Sequence, residues 1–389
     1  MINFGSPYLE SSDDFVRVLC TFEDDERKEE IFFEVSPEYG EFLCTERSDA
    51  YVIAALHYAM RTRQDIICDT PITEDLLFQI ETELVPAMTK KSSFYPTRIF
   101  ADTAPPLAKK PFTDSRTGLE RFGAVGTGFS LGTDSFYAVA SLQNERFPGQ
   151  QLTHLAQHEV GAFNNSYRKF GRAVVKDSLY CDAEEATKKL GIPLLQTDSN
   201  LKKSIPGHFS KIATFNNAFA VYCMQELWGS YHLGSHGAGL TPLIFTNMQD
   251  QNSAFYDILT LNAFSIPGLR MYVSGLSETR LEKAWSFSHL KAAQEHLHVC
   301  TAEPTNCMQC EKCKRTLICL DVLSALDKFS QVFDLDYYRK HRLEYLVWLT
   351  EMAFSQLRRD RLVYGEIYDA VCETDGEAMR RIREVLGVK

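Results

Sequence analysis

Phe122-Gly-Ala-Val-Gly-Thr-Gly-Phe-Ser-Leu-Gly-Thr-Asp-Ser135, followed by Phe136-Tyr-Ala-Val-Ala140, passes from an apolar run punctuated by glycines through a polar turn into a second apolar stretch. The order reads as strand, tight loop and helix. Glycines let backbone N–H groups converge without Cβ clashes, Ser130, Thr133 and Ser135 add hydroxyl donors, and the helix behind brings the positive end of its dipole. Such a loop suits phosphate or pyrophosphate. The same pattern also fits an ordinary strand-to-helix turn rich in Ser and Gly.

Two commoner Gly-rich loops do not fit. The G-x-x-x-x-G-K-[ST] loop needs a Lys after its last Gly, where this chain has Thr133, and G-x-G-x-x-G starting at Gly126 and Gly128 meets Leu131. What remains, Ser130-Leu131-Gly132-Thr133-Asp134-Ser135, resembles the Ser-Gly-Gly-x-Asp-Ser loop of the PP-loop ATP pyrophosphatases, with Leu131 standing where that pattern has Gly. The resemblance implies that ATP is held for cleavage of its α–β bond, giving an adenylated substrate and pyrophosphate.

Downstream lies Cys300-Thr-Ala-Glu-Pro-Thr-Asn-Cys307-Met-Gln-Cys310-Glu-Lys-Cys313-Lys-Arg315, four cysteines spaced C-x6-C-x2-C-x2-C. Four thiolates on short, turn-forming spacers can close tetrahedrally around zinc, and a site with no open position holds structure rather than doing chemistry. Loop and cysteines in this order resemble 7-cyano-7-deazaguanine synthases, a PP-loop family that carries its loop early, its four-cysteine zinc site late and an Arg close behind the last Cys, here Arg315. The likeness covers roughly residues 122–320 and is specific at its two ends. It implies a parallel-sheet α/β fold of the Rossmann-like, HUP-type class.

The chain has 389 residues, 44% hydrophobic and 24% charged, with net charge -11. That length exceeds the roughly 250–300 residues at which single cores usually split, so more than one unit is expected. No run of Lys or Arg exceeds two residues, which disfavours a phosphate-backbone grip and points to a small-molecule substrate rather than transfer RNA. The N-terminus has no signal-peptide pattern, and Leu227–Gln249, the longest stretch free of charge, is broken by glycines and a proline. The eleven cysteines, four clustered and the rest scattered, read as reduced and cytoplasmic, with no membrane span.

Three parts are expected: an N-terminal α/β domain (1–118), the PP-loop ATP-binding domain (119–290), and the zinc-binding segment with C-terminal helices (291–389). In the first, Phe15–Phe22 and Ile31–Val35 flank a polar turn as a hairpin. Ser48–Arg61 reads as a helix, Asp65–Cys68 as a strand, and Thr73 as the cap of a helix reaching about Thr89. Cys20, Cys44 and Cys68 lie in apolar surroundings and read as core, while 101–111 reads as a linker.

From 119 onward strands and helices alternate: Leu152–Val160, a helix through Ala183–Leu190, Ile192–Thr197, a long helix Ile212–Trp228, then Tyr231–Gly237 as strand and exit loop. His154 and His158 share a strand face and read as structural, and Ser277–Lys283 reads as a solvated helix start. Beyond Arg315, helices are expected over Thr316–Phe329, Tyr337–Arg358 and Asp375–Leu386, with Leu343, Leu346, Val347, Leu349 and Phe354 as a core or dimer stripe.

By the resemblance, Ser130, Leu131, Gly132, Thr133, Asp134, Ser135, Gly234 and Ser235 bind the nucleotide, and Asp134, Ser135 and His236 act in catalysis. Asp134 is the carboxylate expected to hold Mg2+, and Cys300, Cys307, Cys310 and Cys313 hold Zn2+. The implied reaction adenylates a carbonyl or carboxylate oxygen of a small purine-like heterocycle and replaces it with sulfur, as in thioamide formation of the 6-thioguanine kind, or with nitrogen. Cys181 and Cys223 read as lying in apolar helical settings, so the sulfur or ammonia is expected from a partner enzyme, and a homodimer from the family. A transfer-RNA thiolase and a catalytically silent nucleotide-binding protein are the alternatives.

Overall fold

The computed structural model describes residues 1–90, 93–162, 172–234 and 252–387. Strands β1 (Ile2–Phe4), β2 (Tyr8–Ser11), β3 (Val16–Glu23) and β4 (Lys28–Val35) open the chain. The expected hairpin is β3–β4, in antiparallel register from Val16 opposite Val35 to Glu23 opposite Lys28. Alternation aims Ile31, Phe33 and Val35 inward. Helix α1 (Asp49–Thr62) comes next and ends at Arg63 in the left-handed conformation, φ 59°.

Then come β5 (Ile66–Cys68), β6 (Ile72–Thr73), α2 (Glu74–Gln79), one π-helical turn and α3 (Val85–Thr89). Thr73, expected to cap that helix with its hydroxyl, instead donates its hydroxyl to Asp49 Oδ2 (2.6 Å) and its N–H to Oδ1 (2.7 Å). Burial of Asp49 beside it makes that partnership worth more than a cap. Short strands β7 (Ile99–Phe100), β8 (Thr103–Ala104), β9 (Pro111–Thr113) and β10 (Glu120–Phe122) lead onward. The expected linker is tied down, with Lys109 Nζ donating to the Gln225 carbonyl (2.6 Å) and Lys110 Nζ to Glu226 (3.0 Å).

The alternating region builds β11 (Ala124–Gly128), α4 (Thr133–Leu142), β12 (His154–His158), α5 (Arg172–Leu190), β13 (Leu194–Ser199), α6 (Leu201–Ser204), α7 (Phe209–Cys223), β14 (Trp228–Gly234), α8 (Asp257–Ala263), β15 (Arg270–Ser274), α9 (Arg280–Phe287) and α10 (Lys291–His296). The helix expected to run to Trp228 stops at Cys223. Trp228 already belongs to β14, where it packs on β11: a Cβ at Gly126 would stand 2.5 Å from its ring and 2.9 Å from Tyr231. Packing of Trp228 on Gly126, far off in the sequence, decides this boundary, so local periodicity could not.

The parallel strands lie in the order β15-β14-β11-β12-β13, and β13 then pairs antiparallel with β4 through Asp198–Glu34 and Ser199–Phe33. The N-terminal strands thus extend the same sheet, eleven strands in all among the described residues. Residues of α4 and α5 pack in one apolar cluster and those of α7 and α8 in the other. Successive crossovers therefore change face after β13. In a sheet wound in two directions, ligands sit outside the carboxyl ends of the strands where the winding reverses. Here that place is between the exits of β11 and β14.

Helices α11 (Glu311–Val322), α12 (Leu335–Ala353), α13 (Arg358–Thr374) and α14 (Gly376–Leu386) complete the cluster over α4 and α9. Apolar spacing joins Arg358 to the preceding helix; in the structure it begins a helix of its own. Of the apolar stripe, Leu346 and Leu349 are core, whereas Leu343 and Phe354 are exposed. Among the described residues no helix is long and apolar enough to cross a membrane.

Cys20, Cys44 and Cys68 are buried as expected; of the two structural histidines, His154 is buried and His158 half-buried. His57 sits edge-on to Phe94 and Phe215, and burial holds its imidazole down at about 3, against about 6.5 when unfolded. The unfolded chain therefore binds this proton first as pH falls, and stability drops from about pH 6 downward. Replacing His57→Phe should flatten urea-derived stability against pH by about 1.4 kcal/mol per pH unit between about pH 5.5 and 4. An unchanged slope would contradict a neutral buried imidazole.

Candidate functional site

Gly128 ends β11, Phe129 N–H still pairs with the Ala156 carbonyl (2.7 Å), and the chain then turns sharply into α4. The turn is made at Leu131, whose φ is 60°. That is the backbone conformation for which Gly is the usual residue. Leu131 tolerates it because its side chain is completely buried among Phe129, Phe136 and Leu297, and its carbonyl accepts the His298 N–H at 2.9 Å. The departure from the Ser-Gly-Gly pattern keeps the bend and adds an apolar anchor.

Leu131→Gly accordingly sets two effects against each other. Relief of the left-handed backbone is worth about 1–2 kcal/mol, whereas emptying a fully buried leucine site costs about 3–5 kcal/mol. The variant should be less stable by about 2–3 kcal/mol in urea unfolding. A gain in stability would show that the leucine is strained rather than anchored.

Gly132 precedes α4, and its carbonyl accepts the Phe136 N–H (3.0 Å) and the Ser135 hydroxyl (2.9 Å). Ser135, expected to meet the nucleotide through its hydroxyl, is buried and bonded within the turn. Ser130 is exposed, and Thr133, Asp134 and Ser135 form the first turn, whose N–H groups have no acceptor earlier in the helix. Gly234, at the exit of β14, comes against the same turn, since a Cβ there would lie 3.0 Å from Asp134 Cβ and 3.1 Å from its carbonyl oxygen. Ser235 and His236 lie outside the described residues.

The first turn of α4 faces a set of cations drawn from α9 and α11. Asp134 Oδ1 accepts from Arg280 Nη1 at 2.8 Å and Lys283 Nζ at 3.0 Å; the Asp134, Arg280 and Lys283 side chains are 23%, 5% and 0% exposed. Burial pulls the Lys283 ammonium below its ordinary range, with Asp134 opposing. Arg315 is drawn down by burial and then by repulsion from Arg280, and Lys312 stands within electrostatic reach of both arginines and of Asp134. A small cavity is lined by Thr133, Arg280, Ala284, Arg315, Thr316 and Cys319. Glu366 accepts the Arg280 backbone N–H (2.7 Å), and Glu278 acts on Lys283 from further away.

Ser277–Lys283, expected as a solvated helix start, is thus partly interior. Thr279 and Glu282 form a capping box that starts α9, and the i, i+3 pair Arg280 and Lys283 turns inward onto Asp134. The sequence marks a helix start here and nothing of its inward face. The ion pairs span 146 and 149 residues, a separation no local pattern reports.

The second element of the site is the cysteine knot. The sulfurs of Cys300, Cys307, Cys310 and Cys313 lie within 4.8 Å of one another. A tetrahedral Zn–S shell of about 2.3 Å places sulfurs about 3.8 Å apart, so small adjustments close them on one zinc ion. Backbone N–H groups already point at the sulfurs: Ala302 and Glu303 at Cys300, and Cys310 at Cys307, each at 3.3 Å. Cys313 is pushed up as the donor, and its hydrogen bond comes first among the contacts that pull the Cys310 thiol down. Such donors stabilise thiolates, which is the form that binds metal.

The knot abuts the loop. Cys310 caps α11, the helix that carries Lys312 and Arg315, and His298, two residues before Cys300, holds the Leu131 carbonyl. Of the sulfur-carrier candidates, Cys223 is buried with its thiol pushed well up by burial, whereas Cys181, expected in an apolar setting, is exposed. No protein-family model, curated protein or solved structure matches the chain.

Proposed function

We propose that the chain is an ATP-dependent adenylating enzyme of the PP-loop type that acts on a small purine-like heterocycle. The observation that carries this reading is the gathering of Arg280, Lys283 and Arg315 at the first turn of α4, where the sheet's winding reverses. A helix N-terminus backed by the buried Arg280 and Lys283 and the half-buried Arg315 suits a polyphosphate. The same cations would meet charge that develops on a departing pyrophosphate in a site of low dielectric.

In this reading the phosphates lie on the backbone of residues 130–135. A substrate oxygen attacks the α-phosphorus, the bond to the β-phosphate oxygen breaks, and pyrophosphate leaves toward the cations. A sulfur or nitrogen nucleophile then adds at the activated carbon and AMP departs. Asp134 orients Arg280 and Lys283, and Mg2+ enters with the triphosphate. The substrate class rests on the resemblance to deazaguanine synthases, with thioamide formation favoured over nitrogen insertion. Cys20, Cys44, Cys68, Cys223 and Cys319 are buried thiols, which disfavours them as carriers, while Cys181 is exposed; the sulfur donor is proposed to lie outside the chain. The zinc knot is structural.

The test is pyrophosphate release from Mg-ATP by the purified chain, with guanine, other purines, deazapurine carboxylates or bulk transfer RNA as acceptor and sulfide or ammonia supplied. Release that depends on one heterocycle supports the proposal, and the product's mass assigns sulfur or nitrogen. Release that depends on transfer RNA would favour a thiolase. Tight ATP binding without release under every acceptor would leave a nucleotide-binding protein.

A further inference from the structure

Asn306 makes four hydrogen bonds with one side chain. Its Oδ1 accepts from the backbone N–H groups of Val299 (2.9 Å) and Cys300 (3.3 Å), and its Nδ2 donates to the carbonyls of Leu297 (2.8 Å) and Val332 (3.0 Å). It sits next to Cys307 and so belongs to the knot's loop, but three of its partners lie in 297–300, the segment that leads into the knot. That segment places His298, whose N–H bonds the Leu131 carbonyl at 2.9 Å and whose ring nitrogen Nε2 meets the Glu303 carbonyl at 3.1 Å. A single amide therefore sets the path of a short extended segment pinned at one end by the cysteines and at the other by the phosphate-binding turn.

We propose that Asn306 is a positioning residue for anion binding: it transmits the fixed geometry of the four-cysteine knot, through 297–300 and His298, to the left-handed turn at Leu131 and the first N–H groups of α4. The inference rests on the reading of that turn as a polyphosphate site. Its physical basis is that a turn held at φ 60° by a non-glycine residue needs support from outside itself. The support here is one backbone hydrogen bond and the apolar seat of Leu131. Val299 and Cys300, which share the Asn306 carbonyl oxygen, are both buried, so losing that acceptor leaves two N–H groups to find new partners and shifts the segment.

The experiment uses the full chain loaded with zinc, one ion per chain by metal analysis, and measures binding of inorganic pyrophosphate and of Mg-ATP by calorimetry. Asn306→Ala should retain zinc and far-UV circular dichroism yet bind both ligands at least about fivefold more weakly, the lower end of ordinary coupling between sites. Asn306→Asp keeps the acceptor for Val299 and Cys300 and should recover part of the loss. Leu349→Ala serves as a control that lowers melting temperature from the same helical layer without touching this path, and its ligand affinities should stay at the wild-type value.

If zinc-loaded Asn306→Ala binds pyrophosphate as tightly as wild type, or Leu349→Ala weakens binding equally, the positioning role is overturned. Should Asn306→Ala fail to fold, Asn306→Asp is judged by the same criterion, because it lacks the two donors to Leu297 and Val332; wild-type affinity in that variant overturns the role. Failure of wild type itself to bind either ligand refutes the polyphosphate site, and that outcome is separate from equal binding by wild type and variant.

Discussion

On the proposed reading, removing zinc from Cys300, Cys307, Cys310 and Cys313 should unfold the C-terminal helical layer and abolish polyphosphate binding together. Structural zinc in small sites is worth on the order of 10 kcal/mol, comparable to the whole stability of a typical domain, about 5–15 kcal/mol. The knot begins α11, and α11 packs its Leu317, Ile318 and Leu320 in the same cluster as α4, α9 and α12. Loss of the metal therefore reaches beyond the turn that holds it. A strong chelator, or Cys313→Ser at the most buried of the four positions, should lower the calorimetric melting temperature sharply and eliminate binding of pyrophosphate. A chain that stays folded and keeps its affinity after verified zinc loss would remove the knot from this account.

Removing the Asp134 carboxylate should cost both stability and turnover, although the loop motif alone implies an intact fold. Asp134 stands between Arg280 and Lys283, both buried. Taking one partner from a buried ion pair costs about 3–5 kcal/mol; because Asp134 retains 23% exposure, Asp134→Ala should lose about 2–4 kcal/mol in urea unfolding. Asp134→Ala combined with Lys283→Met should be more stable than the sum of the single changes, since the second removes a cation the first has stranded. Pyrophosphate release should fall about 100- to 1000-fold in each single variant and in Arg280→Met, the usual effect of losing a group that meets developing charge. Restored stability without restored release in the double variant would separate the two roles. A double variant whose loss equals the sum of the two single losses would mean that the pair does not act as a unit.

Elements decided by short-range chemistry were readable from the residues. The hairpin around Asp24–Arg27, helix α1 and the strand-loop-helix at 124–142 depend on alternation, 3.6-residue spacing and turn chemistry, all of which act within one element. The four cysteines are legible for a similar reason. Their spacers are so short that any closed path brings the sulfurs together, as the cluster shows.

What only the tertiary structure decided involves partners far apart in the chain. Trp228 ends the preceding helix early because strand β14 must seat its ring over Gly126. Arg280 and Lys283 look like a solvated helix face until α9 lays them on Asp134, and Leu131 looks like a defect in a Gly-rich turn until its side chain is seen to fill the core beneath it. The joining of β4 to β13, which makes the N-terminal strands part of the parallel sheet, has no local signature either. Sequence determined which residues could form a strand, a turn, a helix or a thiolate shell, because those preferences belong to neighbours on the chain. Burial and charge pairing between residues 146 and 149 positions apart decided which of them form the site, because desolvation depends on the side chains the fold stacks over a residue and not on its neighbours in the chain.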